Sequence, residues 1–411
     1  MGSSTRTTPR KTRKWSKTEW LLLLAPLLVI GGLAILNFVP QVKQSFREWR
    51  DYGSHRPYAV FYAGYDLTFN PIAFSPDGKY LAAATRGTLP SNNGNHDVEV
   101  WNTSSRQQIS SWPIAGNHTF VNVLKFVSPN VLDVGLSNLG NLSKIQNIGE
   151  RRDVRSGKLL SGQIAHVKPE VPPSVLFSVS AFPYNKFSNP RPEKLGDTKL
   201  RIKLFTVKTP LKVDDASLAG GEKHFVVQWK AQLYDAQGRK LRQAFALFKY
   251  FDYSSNVGVS GCEMEFCSSP DGKTLIIRAR TVDFFEKDIK KDIKQDTDEW
   301  IEAFDTTTGR SLWKRFVTQH NKQNGLLRAI AFSPNSDVTA VLIDKYQNGV
   351  SQGGIVELRN TRTGGILRQF DVRPLVGSYT VSLYTQFSPD GRLLAVPQDD
   401  RLELWDVSDL H

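Results

Sequence analysis

The chain is short of the residues that carry most catalysis and metal binding. Among its 411 residues are 2 cysteines, 2 methionines and 7 histidines. With Cys262 and Cys267 as the whole thiol complement, no cysteine zinc site and no disulfide framework can be assembled. These two lie five apart in "GCEMEFC", so on one straight strand they point to opposite faces, and a bond between them needs a turn or bulge. Two unpaired, small apolar side chains are the equal alternative. Neither Gly-x-x-x-x-Gly-Lys nor His-Glu-x-x-His occurs, which excludes P-loop and zincin chemistry. "GVSQG", Gly349–Gly353, has the spacing of a hydrolase elbow, but that elbow needs a helix after its serine. The following "GIVELRN" reads as a strand, so Ser351 is expected on a loop. The histidines are scattered, and His118 and His320 are expected to hydrogen-bond rather than to ligate a metal. No catalytic residue, metal, cofactor or specific small molecule is expected. Basic clusters such as "ERRDVRSGK" lack interleaved aromatics and any nucleic-acid motif, so no nucleic acid is expected either.

Acidic residues are the scarcer charge, 40 against 53 Lys and Arg, for a net charge of +13. Such a field favours acidic proteins, anionic headgroups or polyanions, with simple solubility as the plain alternative. Long uncharged runs are also rare. One exists, "LLLLAPLLVIGGLAILNFV" from Leu21 to Val39, and its 19 residues suffice to cross a hydrocarbon core. It is longer than a signal-peptide core, and tryptophans flank it at Trp15, Trp20 and Trp49. More Lys and Arg precede it than follow it, which places the N-terminus in the cytoplasm. The expected organisation is a basic cytoplasmic tail at 1–19, a transmembrane helix at 20–40, a linker at 41–57 and a repeat domain at 58–411. The repeat domain would be extracytoplasmic.

That domain is built on two recurring phrases. The first reads "FSPDGKYLAAAT" from Phe74, "SSPDGKTLII" from Ser268, "FSPNSDVTAVL" from Phe332 and "FSPDGRLLAV" from Phe387. In each Ser-Pro-Asp-Gly, proline presets a turn, aspartate suits the next position and glycine supplies a positive φ. Pro76, Asp77, Gly78, Pro270, Asp271, Gly272, Pro389, Asp390 and Gly391 are therefore turn residues, not a chemical site. The second phrase places Glu99, Glu150, Glu302, Glu357 and Glu403 three residues before Asn102, Asp153, Asp305, Asn360 and Asp406, with Gln232 and Asp235 as a sixth copy. A strand, tight turn, strand, loop, strand, tight turn and strand give a four-stranded antiparallel sheet. Segments such as "YLAAA" and "TAVLI" are apolar at successive positions, so both faces of each sheet must be covered, as radial stacking allows.

Trp101-Asn102 and Trp405-Asp406, each after a Phe-Ser-Pro-Asp-Gly hairpin, make Tyr58 to His411 resemble the WD-repeat β-propeller family in a divergent, bacterial-type form. The resemblance implies an all-β ring of four-stranded blades, here preceded by the transmembrane helix. Six blades are expected, with inner strands near Pro71, Val121, Ser174, Glu263, Ala329 and Val381; seven is the commoner number in the family. The chain ends after the third strand of its last blade, so "YAVFYAGY", Tyr58 to Tyr65, is expected to supply the fourth and to tie the anchor to the closure. The family's blade topology puts both kinds of tight turn on one face. The other face would carry long loops, "TRGTLPSNNGNH", "KTPLKVDDASLAGGEK", "TVDFFEKDIKKDIKQDTDE", "IDKYQNGVSQGG" and "SGQIAHVKPEVPP". Binding residues concentrate on such loops, and Arg86, Phe284, Phe285, Lys345 and Tyr346 are the candidates. The expected function is a membrane-anchored platform for protein partners, without catalysis. A propeller enzyme or ligand sensor using the channel mouth is the second reading.

Overall fold

In the computed structural model the described residues are 56–62, 68–86, 96–114, 119–138, 147–165, 177–181, 193–194, 201–210, 225–235, 237–240, 245–252, 260–285, 294–318, 325–347, 350–372, 385–398 and 401–410. The expected tail, transmembrane helix and residues 41–55 of the expected linker lie outside them. No helix of the described residues is long and apolar enough to cross a membrane.

Alternating and continuous apolar runs form strands throughout. Strand β1 is Ala59–Tyr62. Sheet 1 holds β2 (Thr68–Phe74), β3 (Tyr80–Arg86), β4 (His96–Asn102) and β5 (Gln108–Ile114). Sheet 2 holds β6 (Thr119–Ser128), β7 (Val131–Asn138), β8 (Asn147–Asp153) and β9 (Leu159–Ala165). After β10 (Phe177–Ala181), sheet 3 holds β11 (Glu193–Lys194), β12 (Arg201–Pro210), β13 (Phe225–Tyr234) and β14 (Phe245–Asp252). Sheet 4 holds β15 (Ser260–Ser268), β16 (Thr274–Phe285), β17 (Lys294–Asp305) and β18 (Ser311–Thr318), and sheet 5 holds β19 (Leu326–Phe332), β20 (Val338–Gln347), β21 (Val350–Asn360) and β22 (Ile366–Val372). Sheet 6 holds β23 (Gln386–Phe387), β24 (Leu393–Pro397) and β25 (Arg401–Asp406), and its outer strand is β1.

All the pairings are antiparallel. The sheets follow one another, with β14 meeting β15, β18 meeting β19, β19 meeting β23, and β2 meeting both β6 and the last sheet's β24 and β25. This succession of meandering sheets, returning from the last to the first, is the arrangement of a β-propeller. β1 closes it. Ala59 stands opposite Leu404 and Phe61 opposite Leu402, so the expected strand from the start of the repeat domain completes the last sheet.

Stacking buries both faces of each sheet, which accounts for the runs without alternation. Leu81, Ala82, Ala83 and Ala84 are all fully buried. Ala82 and Ala84 pack with Val98, Val100, Leu132 and Val134 between sheets 1 and 2. Leu81 and Ala83 pack on the other side with Phe61, Leu402 and Leu404 of sheet 6. Cys267 lies in a third joint with Ile301 and Val341, between sheets 4 and 5. It is a free thiol whose pKa is pushed up by burial, so it acts as a small core residue.

One expectation about the inner strands needs correction. The strand near Ser174, expected to head the third blade, is β10, and it pairs with β15 from Phe177↔Phe266 to Ala181↔Cys262. Sheet 4 therefore has five strands, and sheet 3 is headed by two-residue β11, which comes from the insertion "PYNKFSNPRPEKLGDT". No tight turn joins β10 to β12, so nothing local fixes their register, and β10 covers the open edge of β15 instead. The start expected at Val381 lies outside the described residues, which resume at Thr385 and hold Gln386–Phe387 of that strand.

The long loops are also shorter than the sequence reading had them. Within "TVDFFEKDIKKDIKQDTDE" the ladder runs out to Phe285↔Lys294, leaving 286–293 as the connection. Its Val and Phe residues favour extension. "IDKYQNGVSQGG" is mostly ladder up to Gln347↔Val350, because Asn-Gly is a two-residue hairpin signal. Ser351 accordingly lies in strand β21 opposite Tyr346, not in a loop, and strand rather than helix follows it.

Candidate interaction face and the joints between sheets

The turn end of the sheets is built by serine hydroxyls. Ser75 donates to the Asp77 carboxylate at 2.7 Å and accepts the Tyr80 N–H at 2.9 Å. Ser269 does the same between Asp271 and Thr274, Ser333 between Asn335 and Val338, and Ser388 between Asp390 and Leu393. Gly78 has φ 69°, the left-handed position that closes the turn. Ser336 adopts φ 68° in the glycine's place, and its hydroxyl accepts the Asp271 N–H at 3.0 Å, linking the turns of sheets 4 and 5. Partial burial opposes charge on Asp77, yet the Ser75 hydroxyl and the Lys79 N–H hold its carboxyl below the usual range. These aspartates are committed to their turns.

The second phrase forms the neighbouring turns. Asn102, Asp305 and Asn360 each accept two backbone N–H groups of their own loop. The next residue then reaches the first turn of the same sheet: Thr103 N–H donates to Lys79, Thr306 to Lys273, Thr361 to Asp337 and Val407 to Arg392, all at 2.8–2.9 Å. Both tight turns thus share one end of their sheet.

The five candidate contacts lie at the opposite end. Arg86 ends β3 opposite His96, Phe284 and Phe285 end β16 opposite Gln295 and Lys294, and Lys345 and Tyr346 near the end of β20 face Gly353 and Ser351. All are strand residues at the rim of second-to-third strand hairpins, rather than loop residues, and they occupy equivalent places in three sheets. Only the Lys345 side chain belongs to the described residues. Its ammonium pairs with Asp371 at 2.9 Å, with Lys345 half-buried and Asp371 exposed, a contact worth about 0–1 kcal/mol. The connections 87–95, 211–224 and 286–293 spring from this end.

Between sheets, the residue before the Asn or Asp of the second phrase meets the outer strand of the preceding sheet. Trp101 stacks on Phe61 at 5.0 Å and Trp405 on Phe370 at 3.9 Å. The sequence reading found Trp in two repeats only. In two others an arginine fills the role: Arg152 lies over Trp112 at 5.8 Å and Arg359 over Trp313 at 5.9 Å. Each guanidinium also binds the glutamate two residues earlier and the carbonyl of the turn glycine, Glu150 and Gly157 in one case, Glu357 and Gly364 in the other. Arg315 from the preceding sheet adds a bidentate pair to Glu357, whose carboxyl is held below its usual range by the two guanidinia, which outweigh its burial. The missed signal was arginine at a fixed offset from the register glutamate, hidden in "ERRD" and "ELRN".

Other buried charges are paired within sheets. Arg278 joins Glu265 and Glu299, and Arg328 joins Asp344 at 2.6 Å with both side chains buried. Among the described residues no group of three or more His, Cys, Asp or Glu comes together as a metal site.

No family model matches the chain, and no curated protein matches it. Solved structures do. The hydrazine synthase of Kuenenia stuttgartiensis is 12% identical over 83% of this chain and 84% of its own, with a TM-score of 0.32. The WD40 repeats of RRP9 are 12% identical over 85% of this chain and 97% of their own, with a TM-score of 0.38.

Proposed function

We propose that the chain is a propeller of the WD-repeat type, held at a membrane by Leu21 to Val39 with its propeller outside the cytoplasm, and that it is a binding platform for protein partners without catalysis of its own. The observation that carries this reading is the asymmetry between the two ends of the sheets. At one end, side-chain and backbone bonds tie each pair of turns together. At the other, connections of nine and eight residues, 87–95 and 286–293, follow the strand ends bearing Arg86 and Phe285, and a two-residue connection, 348–349, follows the one bearing Tyr346. A rigid scaffold with its longer connections on one side is suited to protein recognition. The net charge of +13 favours acidic partners, and a tether raises their effective concentration at the envelope.

Site-specific photo-crosslinking in the full chain tests this. A photoreactive residue at Arg86, Phe285 or Tyr346 should capture a discrete protein, and one at Lys79 or Lys273, on the turn end, should not. Capture from the turn end alone would sink the assignment of the face. Protease added to intact cells should cut the propeller, and protection until lysis would overturn the topology.

A further inference from the structure

The register glutamate of the third strand recurs in five sheets, and in four of them a positive or indole donor meets it. Glu150 has Arg152 at 2.7 Å, Glu302 has Lys314 at 3.6 Å, Glu357 has Arg315 and Arg359, and Glu403 accepts from the Trp405 indole at 3.1 Å. Sheet 1 differs. Glu99 accepts from the uncharged side-chain amide of Gln108, at 3.1 Å.

Glu99 also occupies a particular joint. Alternation along β4 puts Asp97, Glu99 and Trp101 on one side, beside Thr85, Ala83 and Leu81 of β3. Leu81, Ala83 and Trp101 pack with Ala59 and Phe61 of β1 and with Leu402 and Leu404 of β25, so this is the side turned to the closing strand. The described side chains on this side of the joint are nearly free of charge. β3 contributes Thr85 and Ala83, β5 contributes Gln108 and Ser111, and β1 and β25 contribute the four apolar residues just named. The charges of β25, Arg401 and Glu403, alternate to its other face with Trp405, which packs toward sheet 5. Arg106 lies at the turn end over the Tyr58 ring, where Asp406 and Arg392 also sit. Among the described residues, the titratable group beside Glu99 is Asp97, another acid. Burial first, and then the Asp97 charge, push the Glu99 carboxyl up to about 7.

We propose that the joint between the first and last sheets is a proton-operated latch: a proton on Glu99 keeps β1 and sheet 6 seated against sheet 1, and its loss to solvent loosens them. The closed joint holds this proton more tightly than the open one does. Closure is therefore favoured below neutrality and weakens as pH rises through about 7. The device differs from the joint at Glu357, where the Arg315 and Arg359 guanidinia outweigh burial and hold the carboxyl below its usual range.

Hydrogen exchange of the full chain at pH 6 and pH 8, corrected for intrinsic rates, reads the latch directly. Protection of Ala59–Tyr62 relative to Val356–Leu358 should fall about tenfold at pH 8, as a shift of a pKa unit or more requires. In Glu99→Gln it should stay at the pH 6 level at both values. Glu150→Gln, in a partnered joint, should leave the pH response of β1 intact. Asp97→Asn should move the midpoint to lower pH, which keeps the test alive if Glu99→Gln folds poorly. Equal protection of the wild type at both pH values would overturn the proposal, and so would a fall that persists in Glu99→Gln or a midpoint unmoved in Asp97→Asn.

Discussion

A single methyl group separates two kinds of turn glycine. Gly238 has φ 80° and nothing within 4 Å of where a Cβ would stand, whereas at Gly364, with φ 71°, a Cβ would lie 2.8 Å from Trp313 Cβ and collide with the indole. Gly238→Ala should cost roughly 1–2 kcal/mol, the left-handed penalty alone. Gly364→Ala adds overpacking of roughly 1–3 kcal/mol, and the difference can be read from urea midpoints. Ser269→Ala should cost about 1–3 kcal/mol in the same measurement, because the buried Thr274 N–H loses its acceptor. Acid acts on the same turns. The carboxyl of Asp153 is held low by the Ser156 hydroxyl and N–H, and that of Asp305 by its turn N–H groups and Arg362, which together outweigh burial. Since folding lowers these values, their contribution is complete above the ordinary 3.8 and disappears as pH falls through the folded values. An acid titration of Asp305→Asn should therefore show a shallower loss of stability than the wild type.

At the scale of the strand and the joint, the sequence carried the turns but not the stacking partners. Ser-Pro-Asp-Gly is legible because proline, aspartate and glycine each have a local conformational preference. Strand β1 was legible from an inventory, since the last sheet lacked an outer strand. Arg152 and Arg359 were not, because their role depends on Trp112 and Trp313 of another sheet, which no local preference encodes. β10 was misplaced for a similar reason: its choice between the edges of β12 and β15 is made across a long insertion. Arg359→Leu should be expensive, since Glu357 is buried and would keep Arg315 alone. Losing one partner of a buried pair costs about 3–5 kcal/mol, and the second guanidinium should bring the measured loss to the lower end of that range.

For the whole molecule, the candidate face was legible in position but not in form. Arg86, Phe285 and Tyr346 were placed on long loops, and they stand on strand ends instead, because Asn-Gly and the β-branched residues prolong the ladders beyond what composition alone indicates. Mutations at these positions should leave the thermal midpoint nearly unchanged while reducing crosslinking to the partner. Deleting residues 58–65 should do the reverse to the sheets, exposing the Leu402 and Leu404 backbone and lowering the midpoint by several degrees in a calorimetric scan.

The pairing of β1 with β25 also sets a timetable. About 340 residues separate Phe61 from its partner Leu402, and ribosomes add roughly 5–20 residues per second. The first strand of the repeat domain thus leaves the ribosome on the order of twenty seconds to a minute before the strand that receives it. During that interval its apolar edge, Ala-Val-Phe-Tyr, has no mate within the chain. Biosynthesis of this ring therefore includes a waiting period in which an unpaired strand has to be kept from finding another chain.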